Sequence, residues 1–270
     1  MSKVFIVDIA KCTGCYNCQL VCKDEHCGND WTPYAKAQPM TGHFWAKLNQ
    51  KTVGTMPKVK INYTPTFCNH CENAPCLAAA KDGAVYRRED GLIIIDPEKA
   101  VGQKELVASC PYGAIYWNEE LNLAQKCTGC AHLLDNGYAQ PRCSEICPTG
   151  ALIFGDEEEL QDQIIGADVM NPEFGLGPRV YYRNIPGQFI AGTVYDPVEK
   201  EVIIGAKVRC LQGGKLMKCT TDEYGDFWFK DLSVGVHEVH IEAPGYKTVS
   251  FTGLKTTECI NLGDIPMEKE

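Results

Sequence analysis

The sequence predicts a mixed α+β chain in two parts: a cysteine-rich, twice-repeated first half of short helices and strands, then an all-β sandwich of seven strands. Three observations carry that prediction. Thirteen of the sixteen cysteines fall at or before Cys147. Lys11-Cys12-Thr13-Gly14-Cys15 returns almost letter for letter as Lys126-Cys127-Thr128-Gly129-Cys130, an internal repeat. From residue 188 onward, short strand-like runs alternate with turn residues. A length of 270 residues fits about two domains.

Composition removes several classes of function. The net charge is −9 and no basic stripe is present, so no nucleic-acid partner is expected. Apolar residues make up 44%, enough for packed cores. No apolar run approaches the ~18 residues of a membrane-spanning helix. The stretch Met1 to Asp8 lacks a secretory or twin-arginine signal, which predicts a cytoplasmic chain or a mature form already trimmed. A reducing cytosol opposes disulfides, so this many cysteines point to thiolates held by metal.

Their spacing is specific. Cys12, Cys15, Cys18 and Cys22 form C-x2-C-x2-C-x3-C, the bacterial ferredoxin run, in which three thiolates serve one iron–sulfur cluster and the fourth serves another. Cys127, Cys130, Cys143 and Cys147 form the matching group, ending in Cys-Pro. Crossing the groups gives two complete sites. Cluster one takes Cys12, Cys15, Cys18 and Cys147; cluster two takes Cys22, Cys127, Cys130 and Cys143. Cys68, Cys71 and Cys76, with Cys110 before Pro111, make cluster three. The expectation is a ferredoxin-like double repeat with three 4Fe-4S clusters. Structural zinc also uses C-x2-C pairs, but not three-cysteine loops, Cys-Pro fourth ligands and crossed halves.

A fourth site is missing as a unit. Cys147-Pro-Thr-Gly-Ala and Cys110-Pro-Tyr-Gly-Ala align with Ala80-Lys-Asp-Gly-Ala, which puts Ala80 in a cysteine slot. Stepping back from Cys110 by the ferredoxin spacing lands on Ala100, Gln103 and Leu106. The four ligands of one site are thus replaced together, leaving three from a four-cluster pattern. His70 and His132 sit beside cysteines and are read as hydrogen-bonding neighbours or surface residues, not ligands. Cys27 is read as a buried free thiol. A two-residue turn at Gly213-Gly214 would set Cys210 opposite Met217 and Cys219 opposite Val208, with no disulfide required.

Residues 1–154 form the expected cluster domain, with strands at Lys3–Asp8, Lys58–Tyr63, Leu92–Asp96 and Ala114–Trp117 and short helices after the cysteine loops. Metal binding and folding are coupled in such domains, so the apo form should be largely unfolded. An insertion at about residues 30–55 carries Trp31, Phe44 and Trp45, and reads equally as a docking surface or a self-packed loop. Residues 155–187 are a connector, with a helix expected from Asp156 to about Ile165 and Gly/Pro-rich text after it. Residues 188–270 are the sandwich. His237 and His240 point to opposite faces of a strand there and make a poor ligand pair. No nucleophile elbow, phosphate loop or paired carboxylates occur, so no catalytic residue is expected in this chain.

The cysteine order resembles the iron–sulfur subunits of the dimethyl-sulfoxide-reductase family of molybdenum enzymes, over about residues 1–187. The C-terminal text Gly192-Thr193-Val194-Tyr195-Asp196 and Ala243-Pro244-Gly245-Tyr246 resembles carboxypeptidase-regulatory-like, transthyretin-like sandwiches. Three clusters, one emptied site and an appended sandwich resemble the small subunits of that family's transhydroxylases. The resemblance implies a large partner subunit holding molybdenum bis-molybdopterin guanine dinucleotide, in a heterodimer or a higher assembly of it. It implies hydroxyl transfer between polyhydroxybenzenes on that partner, with this chain a non-catalytic electron-transfer subunit. Two other readings stay open: the electron-transfer subunit of a respiratory reductase of the polysulfide or thiosulfate type, and clusters that only brace a docking module.

Overall fold

The computed structural model describes Ser2–Glu270. The fold is mixed α+β and mostly β. The chain groups into two compact units: residues up to Gln50 with Tyr63–Ile185, and Lys51–Asn62 with Pro186–Glu270.

The first unit is built around strand Lys3–Asp8. It lies between Leu152–Asp156, antiparallel, and Val180–Arg183, parallel. A strand flanked on both sides and covered on both faces is apolar throughout. Val4, Phe5, Ile6 and Val7 are accordingly buried, with Phe5 packed on the rings of Phe67 and Phe154 at 4.6 and 4.7 Å. Short hairpins Val85–Arg87/Ile93–Ile95 and Tyr116–Asn118/Leu123–Gln125 follow the cysteine loops. The helices are also short: Asn17–His26, Pro75–Ala79, Glu105–Ala108, Ala131–Asp135 and Arg142–Glu145.

Two expectations change here. The stretch read as a connector contributes Val180–Arg183 to the central sheet, with Tyr182 buried and its hydroxyl donating to the Pro65 carbonyl at 3.2 Å. The helix expected from Asp156 shrinks to Gln161–Ile164. Asp156 instead ends a strand and pairs with Lys3 at 2.9 Å, while Glu157 pairs with Arg179 at 3.2 Å. The carboxylates that suggested a helix start are committed to cationic partners. The first part of the insertion packs on the body of this unit, with Trp45 buried and Trp31 stacked on His132 at 4.3 Å, while residues 51–55 fall in the second unit. The end of the insertion forms strand Lys47–Thr55, paired with Lys58–Thr66.

The second unit is a sandwich of two four-stranded sheets, eight strands instead of seven. One sheet holds Glu201–Val202, Gln188–Asp196, Asp226–Leu232 and Ile260–Pro266; the other holds Lys215–Thr220, Lys207–Gln212, Val236–Glu242 and Val249–Lys255. The strand Ile260–Pro266 runs parallel to Gln188–Asp196 and contains Gly263 and Pro266, residues that weaken a strand signal in sequence. The Gly213-Gly214 hairpin has the expected register, Cys210 opposite Met217 and Cys219 opposite Val208. Ile190, Val208, Phe227, Val239 and Ile241 fill the core between the sheets. Lys58, almost fully buried, is ion-paired with Asp226 in this unit, and Asn261 donates to the carbonyls of Thr55 and Met56 at 3.1 and 3.2 Å. Among the described residues no helix is long and apolar enough to cross a membrane.

Candidate metal centres

Each centre begins with a tight cysteine loop. The residue two after the leading cysteine is left-handed in all three: Gly14 at φ 72°, His70 at 44° and Gly129 at 64°. That turn aims a backbone N–H back at sulfur. Gly129 N–H donates to Cys127 Sγ at 3.3 Å and His70 N–H to Cys68 Sγ at 3.4 Å. Glycine is required twice over at two of these loops. A Cβ on Gly14 would lie 2.6 Å from the Tyr63 ring, and one on Gly129 would lie 2.8 Å from Leu92 Cδ1.

The loops and helices gather the cysteines in fours. Cys12, Cys15, Cys18 and Cys147 lie within electrostatic reach of one another. So do Cys22, Cys127, Cys130 and Cys143, and Cys68, Cys71, Cys76 and Cys110. Cys18 and Cys22 stand one turn apart on helix Asn17–His26, so that each addresses a different quartet. Quartet two adjoins quartet one through Cys18 and quartet three through the Cys127–Cys68 approach. The order in space is therefore one, two, three.

Burial differs along that row. In quartet one Cys15 is exposed and Cys12 and Cys147 are half-buried; every thiol of quartet two is buried. Desolvation pushes buried thiols up: Cys18 and Cys127 to about 11, Cys22 and Cys71 to about 12, and Cys130 and Cys143 well above the ordinary value. Cys147 goes the other way. Burial raises it, but N–H groups of Leu152, Thr149 and Ala151 and the Thr149 hydroxyl together hold it below the ordinary value. Metal binding needs the thiolate, so loading these sites would release protons.

The donor sets fit iron–sulfur clusters. Each has four thiols, and Cys12, Cys15, Cys18 and Cys147 line one small, partly open hollow with Leu48, Pro65 and Leu152. Among the described residues no three His, Cys, Asp or Glu side chains are spaced to hold a single ion. Thiolates on one zinc would stand roughly 3.8 Å apart.

The fourth position is closed differently. Ala80, Ala100 and Leu106 pack into one apolar core with Cys76, Cys110, Val85 and Ile115. Gln103 accepts from Lys81 N–H at 2.9 Å and donates to the carbonyls of Lys81 and Lys99 at 3.2 and 2.9 Å.

Several neighbours take definite roles. His70 is buried, and its Nδ1 accepts from Ile93 N–H at 2.9 Å, which puts its proton on Nε2. His132 is buried and bonds Glu25 at 3.0 Å, so neither histidine is a surface residue. His26 is missed by sequence reasoning; its Nε2 lies 3.9 Å from Cys130 Sγ, and burial keeps it neutral, at about 3. Its signal was available, since 18, 22 and 26 share one helix face. Cys27 is half-buried, not buried, and contacts Met40 Sδ at 3.6 Å. An insertion that folds back to Met40 stops short of covering it. His237 is fully buried and His240 half-buried, on opposite faces as expected.

Known proteins align with both parts. Residues 59–157 match the 4Fe-4S dicluster domain family and residues 190–259 match the carboxypeptidase regulatory-like domain family. The chain is 42% identical to the pyrogallol hydroxytransferase small subunit of Pelobacter acidigallici, over 97% of this chain and 98% of that protein. It is 32% identical to a subunit of the tetrathionate reductase of Salmonella typhimurium, over 68% of this chain and 73% of that one. With a chain of the anaerobic dimethyl sulfoxide reductase of Escherichia coli the identity is 35%, over 58% and 75%. With its cluster-forming cysteine loops and its trailing β domain, this protein belongs to the family of iron–sulfur subunits of these multi-subunit enzymes, the family of the pyrogallol hydroxytransferase small subunit.

Proposed function

We propose that this chain is the electron-transfer subunit of a molybdopterin-dependent pyrogallol–phloroglucinol transhydroxylase and that it carries three 4Fe-4S clusters. The observation that carries the reading is the 42% identity over nearly the whole of both chains, β domain included. The clusters supply one-electron storage and transfer. The twelve thiols of the three quartets hold them, and the loop N–H groups at Gly129 and His70 favour the thiolate form of the leading cysteines. The apolar core around Phe5, Leu92 and Phe154 keeps water from quartet two.

The active site lies on a large partner subunit carrying molybdenum bis-molybdopterin guanine dinucleotide, in a heterodimer or a higher assembly of it. Quartet one, with Cys15 exposed, is the end of the row that opens outward and is the docking face we assign to that partner. Hydroxyl transfer between polyhydroxybenzenes is redox-neutral overall, which suits a short row that ends at a packed fourth position. Cysteines held as metal thiolates suit a reducing compartment, and we place the complex in the cytoplasm. The respiratory-reductase reading draws on the tetrathionate and dimethyl sulfoxide reductase relatives, whose matches cover 68% and 58% of the chain.

The test is anaerobic purification of the chain from its own cells with its partner, counting iron and molybdenum and assaying pyrogallol conversion. A molybdenum-bearing large subunit, activity on pyrogallol and no membrane protein are expected. A co-purifying membrane anchor with quinol-linked activity would transfer the chain to the respiratory reductases.

A further inference from the structure

The duplicated Lys-Cys-Thr-Gly-Cys text gives two lysines in the same place, and the fold treats them oppositely. Lys11 keeps 54% of its side chain exposed and lies 3.9 Å from the Asp8 carboxylate. Lys126 is only 2% exposed. Its ammonium donates to two carbonyl oxygens, those of Ile93 and of Cys127, the latter at 3.1 Å, and not to a carboxylate. Ile93 is a clamp: its carbonyl holds Lys126 and its N–H holds His70. A buried cation held only by neutral dipoles is costly unless an anion lies close.

Two quartets adjoin that ammonium: it bonds the backbone of Cys127 in quartet two, and Ile93, which holds it, also holds His70, whose backbone N–H donates to Cys68 Sγ of quartet three. Reduction adds negative charge at a centre, and a fixed positive charge in a water-poor interior favours it.

We propose that Lys126 is a shared tuning residue of the second and third cluster sites: it balances thiolate charge at both and raises the reduction potentials of those two clusters, leaving the first unaffected. The inference rests on the three-cluster reading above.

The experiment is an anaerobic potentiometric titration of the purified complex, followed by electron paramagnetic resonance, with iron counted on the same samples. Lys126→Gln removes the charge, Lys126→Arg keeps it, and Lys11→Gln is the control. In Lys126→Gln with full iron, two of the three midpoints should fall by tenfold or more in the reduction equilibrium, 59 mV for one electron. The third midpoint, and all three in Lys126→Arg and Lys11→Gln, should hold. Full iron with all midpoints unmoved in Lys126→Gln, or equal shifts in Lys11→Gln, overturns the proposal. If Lys126→Gln loads incompletely, loss of two clusters with the first retained and rescue by arginine supports it; loss of all three, or no rescue by arginine, overturns it. Fewer than three clusters in the unaltered complex would instead strike the parent reading.

Discussion

Quartet three and the cysteine-free position beside it share one apolar core, yet different forces close them. At quartet three, Cys76 and Cys110 approach Cys68 and Cys71, and on the proposed reading metal joins them. Next door, Ala100 and Leu106 are wholly buried, and Gln103 ties its loop to Lys81 and Lys99 through three hydrogen bonds. On that reading, the same ferredoxin spacing is satisfied by iron in one place and by side-chain packing in the other. Losing a cluster need not unravel its loop, provided all four ligands are replaced together by groups that fill the space and satisfy the backbone.

The largest effect that would break this contrast comes from metal removal. Anaerobic chelation of iron should abolish near-UV circular dichroism from Trp31, Trp45 and Trp117 while leaving that of Trp228, in the metal-free sandwich. A full near-UV spectrum after iron is gone would mean that packing alone holds the quartets. Next is Leu106→Ala, which should cost about 2–5 kcal/mol by leaving a cavity at the fourth position, as read by denaturant unfolding. Its iron content should not change, and a drop in iron would show that the packed position supports the clusters. Gly129→Ala should cost on the order of 1–3 kcal/mol and reduce loading of quartet two, because of its left-handed φ and the Leu92 contact. Gly137→Ala, at φ 84° with open space around the added carbon, isolates the backbone part of that cost.

The smallest effect separates the units by pH. Asp196 is held at about 2, below its ordinary 3.8, by the Glu199 and Val198 N–H groups, the Tyr246 hydroxyl and Lys269. A depressed carboxylate contributes stability that is fully present above its unfolded value. That stability is lost as pH falls from about 3.8 through about 2. The sandwich should therefore lose stability in that window and ignore chelators. Asp196→Asn should flatten the pH dependence of its melting; an unchanged slope would refute the assignment.

The grouping of the cysteines was legible because the ferredoxin spacing limits which of them can meet: the three quartets and the position without cysteines follow from counting along the chain. The Gly213-Gly214 register was legible because a two-residue turn determines which residues face each other. What sequence hid is what depends on distant partners. Val180–Arg183 looks like linker text until it pairs with Lys3–Asp8, some 175 residues away in the chain. Ile260–Pro266 looks too broken for a strand until an edge position makes its proline harmless. Lys126 repeats Lys11 letter for letter, and only the surrounding fold makes one buried and the other exposed.

On the proposed reading, three quartets hold clusters while the fourth position is closed by protein alone. Iron and acid-labile sulfide counted on the anaerobically purified chain, with Mössbauer spectroscopy on the same sample, test it most directly. About twelve irons per chain, all in cubane clusters, are expected. About sixteen would place a cluster at the packed position, and about eight would leave one of the three quartets without its metal; either result would contradict the claim.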